Sequence, residues 1–201
     1  MSEQRKQISK LAAALVEYQD NFGSMSTADR QWAIQNTKEA IGLFAKAVKN
    51  RDVQMLATVV RIDRSTRPAY PDWAAEVLHP ELELTGPAEY TLGSLEQWLH
   101  DGQKNGSWRK GEVIYEHLES NNMLEGCLGL ADLLAIQELG IKAFRRYFAG
   151  KAVFGWKSVV RDRDGGLLGP CLVERDGEVV LGWFWLGGGW GSGAPALRFA
   201  S

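Results

Sequence analysis

The sequence predicts an α+β chain: an N-terminal helical hairpin, a mixed helical middle, and a C-terminal antiparallel sheet of three to four strands packed on helices. Three observations lead there. Apolar residues recur at helical spacing through the first fifty positions. Short apolar stretches broken by Gly, Pro and Asn fill the middle. From Lys151 to Leu186 three strand-like runs are separated by two Asp-Gly turns, Asp164-Gly165 and Asp176-Gly177. At 201 residues the chain fits a single domain, 1–201, with 1–50 as an appended or protruding hairpin.

Ile8, Leu11, Leu15 and Phe22 mark a first helix over 3–21, with Gly23 as its stop. Ser26 and Asp29 open a second helix over 27–50, striped by Ile34, Ile41, Phe44 and Val48. Asp52 can cap a short third helix, although Val59-Val60 suits a strand equally. A loop with Arg61, Arg64 and Arg67 leads to Pro71, where a short helix over 72–78 begins before Pro80 stops it. Residues 81–85 alternate polar and apolar, which predicts a half-buried strand with Glu81 and Glu83 on a solvated face. Ser94 caps a helix through Leu95, Trp98 and Leu99. Further helices are expected over 112–119, 124–139 and 141–148, the middle one apolar on more than one face and therefore central.

In the C-terminal run, Pro170 cannot donate to a strand ladder, so the middle strand should bulge there or lie at an edge. All three strands carry apolar residues on both faces, so the sheet needs a cover on each side. The strand at 81–85 should join it. A glycine-rich piece, 187–193, leads into the closing tail.

Composition excludes several classes. Hydrophobic residues at 45% and charged residues at 24% are those of an ordinary globular protein. Cys127 and Cys171 have no metal-like spacing, which points to two buried thiols in a reducing cytoplasm. No apolar run suits a membrane span or a signal peptide, so a cytoplasmic location without membrane contact is expected. His79, His100 and His117 lack ligand spacing, and no nucleophile motif or phosphate loop is present. No metal, cofactor or catalytic residue is therefore expected.

Charge is segregated. Residues 72–141 hold thirteen acidic against three basic residues, a net −10, while each flank is net +4. The blocks can neutralise each other on folding, or leave one pole for a partner. The basic flank concentrates Lys142, Arg145, Arg146, Lys151, Lys157, Arg161 and Arg163 among aromatic residues. Eight Trp residues are an excess, and Trp183, Trp185 and Trp190 lie together near the end.

These features favour a non-enzymatic binding protein that acts on a protein partner through a charge-segregated or aromatic surface. The candidate binding residues are Arg145, Arg146, Lys151, Lys157, Arg161, Trp183, Trp185 and Trp190. A nucleic-acid-binding protein using residues 142–163 is the first alternative. A small hydrolase-like enzyme, with carboxylates gathered around His100 or His117, is the second. A small, Trp-rich chain without motif chemistry is similar to proteins of bacteriophages and other bacterial mobile elements, a likeness that transfers no site residue.

Overall fold

The computed structural model of the chain describes residues 59–200, together with Gln35, Asn36, Lys38 and Gly42. The chain divides into two compact units, Met1–Val53 and Gln54–Ser201, and the residues from Val59 on belong to the second. The expected N-terminal helical hairpin is not seen: apart from those four positions it lies outside the described residues.

The class is mixed α+β, but its layout differs from the expected one. The described residues run through β1 (Val59–Arg61), β2 (Ala74–Val77), β3 (Glu89–Thr91), β4 (Leu95–Trp98) and β5 (Arg109–Lys110). Three helices follow, α1 (Gly111–Ser120), α2 (Leu130–Glu138) and α3 (Gly140–Phe148). The chain closes with β6 (Val153–Phe154), β7 (Val160–Asp162), β8 (Leu167–Arg175), β9 (Glu178–Trp185), β10 (Gly189–Trp190) and β11 (Ala196–Phe199).

The sheet is larger than expected and mixed. Seven strands run β2-β7-β8-β6-β11-β4, with β9 on the other edge of β8. Its pairs are antiparallel except β6 with β11, which is parallel. Two segments expected as helices, around 72–78 and 94–99, are its strands β2 and β4. Their partners lie far along the chain, in β7 and β11, so tertiary pairing overrides local helix signals. The alternating segment 81–85 is no strand; it forms a single 3-10 turn, Leu82–Leu84.

The helices of the middle match better. Residues 112–119 form α1 and 141–148 form α3, while the expected long helix over 124–139 is split. Leu124–Gly126 makes a 3-10 turn, and α2 starts at Leu130. Gly140 takes a positive φ of 77° where α2 ends and α3 begins.

Both Asp-Gly turns are present. Asp176 and Gly177 carry φ of 52° and 82°, the pair of left-handed residues that a two-residue hairpin turn requires. Counting from that turn, Pro170 faces Trp183 across the ladder. The Pro170 carbonyl accepts from the Gly155 amide at 3.0 Å, so the polar edge of Pro170 points away from β9. It falls where β7 ends and β6 begins, beyond the β7 partners Leu167 and Leu168 and before the β6 partners Cys171 and Leu172. The strand is therefore central and unbulged at Pro170, because no ladder bond is needed there.

Side-chain alternation divides two cores across the sheet. Val153, Leu172 and Leu197 join α2 and α3 residues Leu133, Ile136, Phe144 and Phe148 on one side. Their neighbours Phe154, Cys171 and Ala196 join α1 residues Ile114, Tyr115 and Leu118, with Trp156 and Trp190, on the other. Each fully buried Leu or Phe contributes on the order of 1.5–3 kcal/mol, so both faces are held by the chain's own helices.

Candidate functional site

The most enclosed polar group lies where α2 begins. The 3-10 turn Leu82–Leu84 turns Glu83 inward, against the alternation pattern, and leaves it 1% exposed. Its carboxylate accepts from the Tyr70 hydroxyl at 2.7 Å, the Leu130 amide at 3.3 Å and the Ser158 hydroxyl. Asp132 accepts from the Gly129 amide at 2.9 Å and the Tyr90 hydroxyl at 3.0 Å. Two carboxylates thus meet the free amides and the positive end of α2.

Arg64 completes that centre. Its guanidinium donates to both Asp132 oxygens, at 2.6 and 3.1 Å, and to the Glu83 and Pro87 carbonyls. Lys157 is buried alongside: its ammonium donates to the Thr85 carbonyl and hydroxyl at 3.2 and 3.1 Å and sits 5.5 Å above the Phe199 ring. Burial lowers its pKa. Two acids and two bases balance. Glu83, Asp132, Lys157 and Ser158 are each at most 1% exposed, so nothing dissolved touches them without opening the fold. The cluster ties elements together; it is a structural centre.

The histidines form two surface groups on α1. His79 Nε2 lies 2.6 Å from the Tyr115 hydroxyl and 3.3 Å from Glu119, with Glu81 3.8 Å from Nδ1. His100 and His117 meet edge to face at 4.9 Å, and Trp98 stacks on His117. His100 Nδ1 accepts from the Gly102 amide at 2.9 Å. Burial, first, and the neighbouring His117, next, lower its pKa. The carboxylates gather around His79 rather than around His100 or His117. Among the described residues, no group of three His, Cys, Asp or Glu is arranged to hold a metal ion.

The basic candidates are dispersed. Arg145 pairs with Glu174 at 2.5 Å and Arg161 with Glu76 at 3.0 Å. Arg146 is exposed and lies 5.5 Å from the Tyr147 ring. Lys151 donates to Gln97 at 2.6 Å, beside an open depression of about 480 Å³ that also carries Glu174 and Asp176. Lys157 is the buried residue above. Among the described residues, four ion pairs join the acidic block to its flanks: Arg61–Glu89, Arg64–Asp132, Arg161–Glu76 and Arg198–Glu96. The blocks therefore neutralise each other at these points.

The aromatic candidates separate sharply. Trp190 is 6% exposed, stacked on Phe154 at 4.1 Å in the second core. Trp183 is half-buried and packs edge to face on Trp73 at 5.4 Å, with Tyr70 6.1 Å away. Trp185 is 59% exposed, Phe184 39% and Trp73 38%. Gly187 makes room for Trp185, whose ring lies where a Cβ would be, and Gly189 likewise accommodates Trp108. Sequence reasoning singled out neither Trp73 nor Trp108; no local pattern marks them, because their neighbours come from the far end of the chain.

Trp183, Phe184 and Trp185 lie along β9, which among the described residues pairs with β8 alone. Seven consecutive residues of β9, Val179 to Trp185, carry no charge. Strand edges are ordinarily blunted by Lys, Pro, a bulge or a covering element; between Val179 and Trp185 there is no Lys, Pro or bulge, and among the described residues Gln137 of α2 covers the edge at Val179.

No family model, curated protein or solved structure matches the chain.

Proposed function

We propose that this chain is a non-enzymatic binding protein that engages a polypeptide through the aromatic strip of β9. The observation that supports this reading is Trp185, 59% exposed on β9, a strand whose residues Val179 to Trp185 carry no charge and whose Trp183 packs edge to face on Trp73. Aromatic anchors on a polar surface mark interaction sites, and a sheet edge offers main-chain groups to an extended segment. The other polar clusters support chemistry less well. One is sealed from solvent, and the other gathers around His79 with, among the described residues, no Ser or Cys at hydrogen-bond distance from it. The basic segment is drawn largely into ion pairs and burial. The reading places the protein in the cytoplasm, where its two buried thiols stay reduced. Among the described residues no helix is long and apolar enough to cross a membrane.

The test is retention of a polypeptide from lysate on the immobilised protein, compared with Trp73→Ala/Trp185→Ala and with Arg145→Glu/Arg146→Glu. The reading expects retention that persists in high salt, is lost in the Trp variant and is kept in the Arg variant. Retention that ignores the Trp variant and collapses in the Arg variant, with nucleic acid in the eluate, would overturn it.

A further inference from the structure

The hydrogen-bonding groups on the outer edge of β9 are complementary to themselves. From the two-residue turn, the residues of β9 whose polar groups face outward are Val179, Leu181, Trp183 and Trp185. Two outward carbonyls are already taken: Gln137 Nε2 donates to Val179 at 2.8 Å, and the Gly188 amide donates to Trp185 at 3.2 Å. These two bonds confirm the direction in which the odd-numbered residues point. Among the described residues, no hydrogen bond engages the outward carbonyls of Leu181 and Trp183.

We propose that β9 pairs edge to edge with β9 of a second copy of this chain, antiparallel, around a twofold axis at Gly182. This rests on the reading of the strip as an interface and names its partner. In this register Leu181 faces Trp183 of the copy, and the reverse. Each pair exchanges two bonds, so every free carbonyl is satisfied.

Side chains agree with that register. Leu181 meets Trp183, and Val179 meets Trp185, on one face; Val180 meets Phe184 on the other. From Val179 on, the strand is aliphatic before Gly182 and aromatic after it, so a twofold axis there sets each aromatic residue of β9 opposite an aliphatic one, a favourable cross-strand pair. No charge is opposed between Val179 and Trp185. At the axis the two Gly182 residues form the close, non-hydrogen-bonded pair, where the absence of a side chain removes crowding.

Area sets the strength. Aromatic side chains bury roughly 150–250 Å² each when fully covered. With Trp185 59% and Phe184 39% exposed, the gain per copy stays below the roughly 800 Å² per partner of a standard stable interface. The dimer is therefore concentration-dependent and reversible.

The experiment is sedimentation equilibrium of the full chain from low micromolar to near-millimolar concentration, with amide hydrogen exchange at both ends of that range. A reversible monomer–dimer transition is expected, with Leu181 and Trp183 amides slowed at high concentration. Val180→Lys/Trp185→Lys should raise the midpoint at least about tenfold, since each pairing would then bring lysines into the strip twice. Trp108→Ala, off β9, should leave it in place and so controls for general loss of surface aromatics. A chain that stays monomeric throughout, or a dimer indifferent to the lysine variant, overturns the inference. If a monomeric chain still retains another polypeptide through Trp73 and Trp185, the inference falls and the proposed function stands.

Discussion

Arg64 grips Asp132 with both terminal nitrogens, at 2.6 and 3.1 Å, at a place where the carboxylate has no exposure. The residues are 68 apart in sequence. Their contact pins the loop after β1 to the first turn of α2, and through Glu83 it also pins the 3-10 turn at Leu82–Leu84.

Removing one partner leaves a buried charge without compensation. Arg64→Ala should destabilise the protein by about 3–5 kcal/mol, and Asp132→Ala by a similar amount. Arg64→Met/Asp132→Leu should recover part of the loss, because an apolar pair avoids the desolvation cost. Urea unfolding of the three variants measures this. A loss below about 1 kcal/mol in both single variants would contradict the assignment.

The tryptophans should divide by burial. Trp190→Ala removes a ring stacked on Phe154 and packed at a tilt against Trp156 and should cost about 3–5 kcal/mol. Trp185→Ala, at an exposed site, should change stability by no more than about 0.5 kcal/mol, measured well below the concentration at which the chain pairs. Denaturation midpoints read by circular dichroism test the contrast.

Stability should fall at alkaline pH. Burial pushes the thiols of Cys127 and Cys171 up to about 12 from an ordinary 9.0. The unfolded chain therefore releases these protons first, so their contribution is full below pH 9 and is lost as pH rises toward 12. Tyr70, Tyr90 and Tyr115 act in the same direction above their ordinary 10.0, raised by burial first and by Glu83, Asp132 and Glu119 next. Lys157 opposes them. Its pKa is lowered from 10.5, so the folded chain sheds that proton first and gains stability up to that pH. Five groups outweigh one. Urea midpoints between pH 7 and 11 should decline beyond pH 9, and Cys127→Val/Cys171→Val should flatten the first part of the decline.

His100 should titrate below its ordinary 6.5. Protonating Nδ1 breaks its bond from Gly102, and a charge on His117 opposes a second one nearby. His117→Ala should move the His100 midpoint upward, as followed by NMR of the imidazole protons. No movement would show that burial alone sets it.

Legibility in the sequence followed the range of the interactions. The Asp176-Gly177 turn, β8 and β9 could be read because turn chemistry and alternation are local. Helices α1 and α3 could be read for the same reason. Strands β2 and β4 could not, since each owes its conformation to a partner more than eighty residues away, such as Val160 for Val77 and Phe199 for Leu95. Glu83 shows how a local pattern can mislead: alternation with Glu81 suggested a solvated pair, yet Leu84 is the exposed residue and Glu83 the buried one. Its partners Leu130 and Ser158 are 47 and 75 residues distant. In the aromatic strip, Trp183 and Trp185 were visible as candidates, but only the folded sheet separates them from Trp190 and adds Trp73.

The neutral foursome beneath α2 also constrains how this sequence can change over generations. Glu83, Asp132, Arg64 and Lys157 each hold charge that the others offset, so replacing any one alone strands the rest. Lineages should therefore alter these positions together or not at all, and a set of relatives would show them co-varying as a block. The strip along β9, bound by no such arithmetic, is free to drift residue by residue with whatever it meets.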